Sequence, residues 1–272
     1  MSAAAGVVLT CFMEGTSNVL TDHTTQIGLF AEMTDAFDLR QQKTRPSSAG
    51  RFKIAFDGCG VTNGCLGLVC GTGLRAQCAE VISHLKQLIS ERGSVTLNAV
   101  GLSRGAVGAC YLAQMLASVD PSTLRVNLLL FDPVPGNFVW AARYCDPFGC
   151  TNARASMDLT QCQNVQSVLA LYPEEALPDL AVHAPSLPEW PANCDDVEED
   201  VVLGCHQGAL FAGRHGAGWR SCLSFTRIKA WLVARGTTFF QDERSSGGGF
   251  AEMDSVTPQQ CHDLMSTKLK SM

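Results

Sequence analysis

The sequence carries little charge, no excess of positive charge and no long apolar run. Only 17% of its 272 residues are charged, and the formal net charge is −6 at pH 7. This balance argues against proteins that bind nucleic-acid phosphates or that bind membranes through a polybasic surface. No apolar stretch reaches the roughly 20 residues that are needed to cross a bilayer. We therefore predict no nucleic-acid partner and no transmembrane segment.

The amino-terminal segment lacks the positive charge that begins a secretory signal. Residues 1–13 are apolar, but the first Lys or Arg is Arg40. We therefore expect a cytoplasmic protein, and we leave open export by a route that needs no such signal.

Cysteine is abundant, but its spacing matches neither a disulfide framework nor a zinc site. The 13 cysteines are an odd number in a chain too long for a disulfide-stapled mini-domain. The four between residues 59 and 78 are separated by five, four and seven residues. Structural zinc sites use paired C-x2-C spacing instead. We expect mostly free, buried thiols, and neither a metal nor an organic cofactor.

Short apolar segments rich in β-formers alternate with helical patterns along most of the chain, which is 46% hydrophobic. The predicted strands span residues 6–12, 52–56, 95–100, 125–131, 165–171 and 201–204, and the main helices span 74–92, about 106–118 and 221–235. Continuous apolar strands separated by helices are typical of a parallel sheet that is covered on both faces. We predict a single α/β domain over residues 1–272, with a mostly parallel six-stranded sheet.

Four segments depart from this alternation, and two of them overlap. Residues 137–163 contain one proline and residues 176–199 contain four, and we expect both to form lid or cap excursions above the sheet. An acidic run at 195–200 is expected to be a solvated loop. Residues 245–272 are expected to form a flexible link and a carboxyl-terminal helix.

A G-x-S-x-G pattern lies between the third predicted strand and the helix that follows it. It reads Gly101-Leu-Ser-Arg-Gly105. A tight strand–turn–helix of this kind, called a nucleophile elbow, exposes a serine hydroxyl at the end of the sheet. We therefore predict Ser103 as a nucleophile, and the amide of Arg104 as one donor of an oxyanion hole. The second donor is expected in the loop after the first strand, at Gly15 or Thr16.

A nucleophilic serine needs a base and an acid that orients the base. His206 directly follows the sixth predicted strand, where reactive groups of an open α/β sheet gather, and His215 is the alternative base. Asp132 follows the strand beside the elbow strand and is the predicted acid, with Glu174 or Glu175 as alternatives.

An aromatic segment lies shortly beyond the predicted acid. Phe138 and Trp140 are predicted to line an acyl pocket or to form a lid over Ser103, although packing in the core would explain them equally well.

Five segments together resemble a known family. They are Phe12–Asn18, Asp57–Gly60, Gly101–Ala106, Phe131–Val134 and, in part, Gly204–His206. Their order resembles the α/β-hydrolase domain of the type VI secretion phospholipase effectors and their uncharacterised bacterial and fungal relatives. The resemblance spans about residues 7–215, and it implies an α/β-hydrolase fold and hydrolysis of esters, including phospholipids, by Ser103 and His206. This chain departs from the family at Glu14, where Asp is usual, and after His206, where an acidic residue and glycines are usual.

The sequence therefore predicts a serine hydrolase that cleaves a carboxylic ester of a lipid or another small acyl substrate. Two alternatives remain open at this point. The same machinery could act on thioesters or amides, or the fold could serve as a non-catalytic binding module.

Overall fold

The computed structural model describes residues 6–22, 25–42, 46, 48–62, 73–134, 156–175, 186–206 and 218–240. Seven strands lie within these ranges: β1 (Val7–Met13), β2 (Phe37–Asp38), β3 (Arg51–Phe56), β4 (Val95–Leu102), β5 (Leu124–Phe131), β6 (Val165–Glu175) and β7 (Asp196–Cys205). Four α-helices accompany them: α1 (Gln26–Met33), α2 (Leu74–Arg92), α3 (Arg104–Met115) and α4 (Gly218–Ala234), and a short 3-10 turn spans Leu20–Asp22.

The strands form one parallel sheet in the order β2-β3-β1-β4-β5-β6-β7. The predicted fold class is correct, but the sheet has seven strands where six were predicted. The extra strand, β2, contains only two residues, Phe37 and Asp38, and is too short to show a period-two pattern.

The acidic run was expected to be a loop, and that prediction is wrong for residues 196–200, which belong to β7. Because β7 is an edge strand, its acidic side chains can extend into solvent while its backbone pairs with β6. Arg227 of α4 forms ion pairs with two of these side chains, Glu198 and Asp200.

Successive strand residues alternate between two hydrophobic layers. On one face, Leu9, Cys11 and Met13 of β1 pack in a cluster that includes the buried sides of α2 and α3. On the other face, Phe12 packs in a second cluster with α1 and α4, where Phe30 stacks on Phe225. Because helices cover both faces of the sheet, a ligand can be expected only at the edge where the strands end.

The described parts of the two expected excursions contribute to the core. Met157, Leu159 and Cys162 are buried in the cluster on the α2–α3 face. The segments 135–155 and 176–185 and the predicted carboxyl-terminal link and helix lie outside the described residues.

Among the helices that the structure does describe, none is long and apolar enough to cross a membrane. The six cysteines in these ranges whose side chains are described are free and buried.

A row of buried polar residues crosses the sheet at one register. Thr10, Asn98 and Asn127 are neighbours on β1, β4 and β5. Asn98 accepts a hydrogen bond from Asn127 Nδ2 (2.8 Å) and donates to Arg235 O and Thr237 Oγ1, both at 3.0 Å. Thr10 Oγ1 lies 2.9 Å from the same Thr237 hydroxyl. This row therefore fixes the chain that follows α4 to the sheet.

Candidate active site

Ser103 occupies a strained turn between β4 and α3. Its backbone angles are φ 55° and ψ −117°, a region that side-chain-bearing residues rarely adopt. Its N–H donates to the Phe131 carbonyl (2.9 Å), and the residue is 6% exposed. Strain of this kind is typical of the nucleophile elbow, where the surrounding structure holds a serine in one orientation.

The two glycines of the elbow are required by close backbone contacts. A Cβ atom on Gly101 would lie 2.4 Å from the Gly105 carbonyl oxygen, so this glycine allows α3 to fold back against β4. A Cβ atom on Gly105 would lie 2.2 Å from the Met13 carbonyl oxygen and 2.7 Å from that of Glu14. The first turn of α3 therefore touches the end of β1, and the loop after β1 lies beside Ser103.

The sequence left two candidates for the second oxyanion donor, and their amides differ in the structure. The Gly15 N–H donates to the carboxylate of its neighbour, at 3.1 Å from Glu14 Oε2. The Thr16 N–H has no hydrogen-bond acceptor among the described residues. Arg104 is the first residue of α3, where backbone N–H groups point out of the helix. Of the two candidate amides, only that of Thr16 is therefore left without an acceptor among the described residues.

The structure brings His206 and Asp132 together. Asp132 follows β5, His206 follows β7, and Asp132 Oδ2 lies 2.5 Å from His206 Nδ1. Asp132 adopts a left-handed φ of 44° and is 2% exposed, and its N–H donates to the Leu171 carbonyl (2.8 Å). This backbone bond and the turn direct a buried carboxylate at the imidazole, whose side chain is 14% exposed.

The alternative acids are placed differently. Glu174 belongs to β6 and its side chain is exposed, whereas Glu175 pairs through its backbone with Cys205 of β7. The alternative base, His215, and the predicted pocket residues Phe138 and Trp140 lie outside the described residues.

A buried carboxyl group at the end of β1 was not predicted as a site residue. Glu14 is 2% exposed, and its Oε1 accepts a hydrogen bond from the hydroxyl of Thr25, the N-cap of α1. Burial raises the pKa of Glu14 to about 7, although the hydrogen bonds from Thr25, Gly15 and Gly28 oppose this shift. The available signal was a carboxyl residue at the end of an apolar strand, directly before a Gly-Thr turn.

The loop after β3 supports the turn formed by residues 15–18. The Gly58 N–H donates to the Asn18 carbonyl (2.9 Å), and the Ser17 N–H donates to the Cys59 carbonyl (3.0 Å). Asp57 Oδ1 accepts from the Leu20 N–H (2.9 Å). The first two segments of the family resemblance are thus two loops that contact each other.

Within the described ranges, no group of three or more His, Cys, Asp or Glu side chains could hold a metal ion.

Comparison with solved structures shows that this chain has the α/β-hydrolase fold. It is similar to an uncharacterised protein from Pseudomonas aeruginosa, with 13% identity, a TM-score of 0.59 and coverage of 98% of this chain and 51% of that one. It is also similar to a structure from work on LipS and LipT, two metagenome-derived lipolytic enzymes, with 10% identity and a TM-score of 0.50. That match covers 85% of this chain and 96% of the other.

The Tle1 effector of the type VI secretion system, solved bound to the VgrG spike, matches at 15% identity and a TM-score of 0.44 over 76% of this chain. The chain spans about half the length of this effector and of the Pseudomonas protein. No protein-family model and no curated protein matches the sequence.

Proposed function

We propose that this protein is a serine hydrolase that cleaves a carboxylic ester of a lipid or another acyl substrate. The observation that carries the proposal is the contact between Asp132 and His206 at the sheet edge where the strained, buried Ser103 also lies. A serine elbow, a histidine and a buried acid at one edge of the same sheet are the parts that acyl transfer needs.

In the proposed reaction, Ser103 Oγ attacks the ester carbonyl while the Nε2 atom of His206 takes its proton. Asp132 holds the Nδ1–H of His206, which fixes the tautomer and stabilises the imidazolium that forms. The amides of Arg104 and Thr16 bind the oxyanion. His206 then protonates the leaving alcohol, and water releases the acyl group by the reverse sequence of proton transfers.

A serine-directed fluorophosphonate probe and a series of p-nitrophenyl esters of increasing chain length test this proposal. We expect the wild type to be labelled and to hydrolyse the esters, and Ser103→Ala and His206→Ala to lose both properties. Ser83→Ala and His84→Ala on α2 are matched controls that should keep them. A folded wild type that is neither labelled nor active on esters, thioesters or amides would overturn the proposal and favour a non-catalytic binding protein.

A further inference from the structure

Glu14 is a buried carboxyl group whose partners are all hydrogen-bond donors. Its Oε2 accepts from the Gly15 N–H, its Oε1 accepts from the Thr25 hydroxyl, and Gly28 lies beside the same carboxyl group. Among the described residues, no Lys, Arg or His side chain pairs with it, and the charged group that acts on it is Asp57, which follows β3. A buried carboxyl without a cation is unfavourable for the fold, and such groups concentrate at functional sites.

The carboxyl group connects the start of α1 to the 15–18 turn. Thr25 caps α1 and accepts from the Gly28 N–H (3.3 Å) while it donates to Glu14. Gly28 permits this approach, since a Cβ atom there would lie 2.7 Å from the Leu20 carbonyl and 3.3 Å from Glu14 Oε1. Helix α1 packs in the hydrophobic core, so it provides a rigid support for the turn.

The same turn contacts the elbow. A Cβ atom on Gly15 would lie 2.9 Å from Leu102 Cγ, and Leu102 directly precedes Ser103. A displacement of the turn would therefore change the position of the Thr16 amide relative to Ser103.

We propose that Glu14 is a positioning residue of the oxyanion hole, which holds the Gly15 amide so that the neighbouring Thr16 amide faces the reacting oxygen. This inference rests on the proposed function. The Gly15 N–H is occupied by Glu14, whereas the Thr16 N–H has no acceptor among the residues that the structure describes. The carboxyl group thus decides which of two adjacent amides is available to substrate.

The role requires a carboxyl group and not only its shape. Two donors occupy its two oxygens, the Gly15 N–H on Oε2 and the Thr25 hydroxyl on Oε1. A glutamine whose carbonyl oxygen keeps the Gly15 N–H has to direct its NH2 group at Thr25 Oγ1, so the hydrogen bond from the Thr25 hydroxyl to residue 14 is lost. The Glu14→Gln variant should therefore displace the turn, while Glu14→Asp keeps two acceptor oxygens.

The test measures kcat and KM for a p-nitrophenyl ester at pH 8.5, together with the Ki of a trifluoromethyl ketone that forms an oxyanion on Ser103. We expect Glu14→Gln to lower kcat by about 10- to 100-fold, with KM within about twofold of wild type, and to raise Ki by a factor similar to the loss in kcat/KM. Glu14→Asp should stay within about fivefold of the wild-type kcat.

Asp38→Asn is the matched control, because Asp38 is a buried carboxylate on β2 that accepts from two backbone amides, those of Arg40 and Gln41. It should leave kcat and Ki unchanged. Thr25→Val, compared with Thr25→Ser, tests the same contact if Glu14→Gln does not fold. Wild-type kcat in Glu14→Gln, or equal losses in Glu14→Gln and Asp38→Asn, would overturn the inference. An inactive, unlabelled wild type would instead overturn the proposed function itself.

Discussion

A Cβ atom on Gly58 would lie 1.7 Å from the carbonyl oxygen of Gly15, so the loop after β3 and the turn after β1 meet backbone to backbone. No side chain other than hydrogen fits between them. The contact joins the loop that begins at Asp57 to the turn that carries Thr16, and it places both beside the elbow. The turn is therefore held from two sides, by Gly58 on one and by the Glu14 carboxyl group on the other.

The Gly58→Ala variant is expected to displace the 15–18 turn, because neither backbone can yield without breaking the hydrogen bond from the Gly58 N–H to Asn18 O. We expect kcat/KM for esters to fall by about 100-fold or more, the size of loss that a misplacement of about 1 Å produces. Steady-state kinetics on the folded variant measures this loss. Gly50→Ala is the control, since a Cβ atom there meets nothing within 4 Å. Wild-type kcat/KM in Gly58→Ala would contradict the expectation.

The Asp132→Asn variant separates the predicted acid from its alternatives. An amide cannot stabilise the imidazolium of His206 as a carboxylate does, so we expect kcat to fall by about 10^3- to 10^4-fold at pH 7 with the fold retained. Glu174→Gln should keep wild-type activity, because the Glu174 side chain is exposed. Full esterase activity in Asp132→Asn would remove Asp132 from the mechanism and transfer the role to Glu174 or Glu175.

The positions of the three proposed triad residues could be predicted because each is marked by a local pattern. Ser103 is flanked by glycines between an apolar strand and a small-residue helix. Asp132 and His206 each follow an apolar segment, and the ends of parallel strands meet at one sheet edge. These patterns place the residues at strand ends, and the choice of Asp132 also used the expectation that its strand lies beside the elbow strand, which the sheet order confirms.

The remaining features depend on contacts that no local pattern encodes. The bond between Glu14 and Thr25 joins residues eleven positions apart, through a helix whose place on the sheet is set by core packing. β2 is too short to show a periodic pattern. The acidic strand β7 was interpreted as a loop because the sequence does not reveal that it lies at an edge of the sheet, where charged side chains are tolerated.

The buried Glu14 should make stability depend on pH. Its pKa is about 7 in the folded protein, against an ordinary value of 4.5, so the folded state binds the proton more tightly. The free energy of unfolding should therefore fall as pH rises from 4.5 to 7 and then level off. Urea unfolding of wild type and Glu14→Gln at several pH values isolates this contribution. Between pH 5 and pH 8, we expect the free energy of unfolding of wild type to fall by about 2 to 3 kcal/mol relative to that of Glu14→Gln. A difference that stays constant with pH would contradict this.

Asn98 offers a test of the fold that is independent of the chemistry. It is fully buried, and its side chain makes hydrogen bonds to Asn127, Arg235 and Thr237. Asn98→Ala leaves these groups without their partner, so we expect the free energy of unfolding to fall by about 2 to 4 kcal/mol.

Urea unfolding monitored by circular dichroism measures that loss. Thr96→Ala, two residues earlier on the same strand and only half-buried, is the control and should change stability by less than about 1 kcal/mol. Because the polar row joins the sheet to the chain after α4 and not to the elbow, kcat of the folded Asn98→Ala variant should equal that of wild type. If Asn98→Ala is as stable as wild type, the row of polar residues contributes nothing to holding the segment after α4. If the folded variant has a much lower kcat, the row also supports the active site.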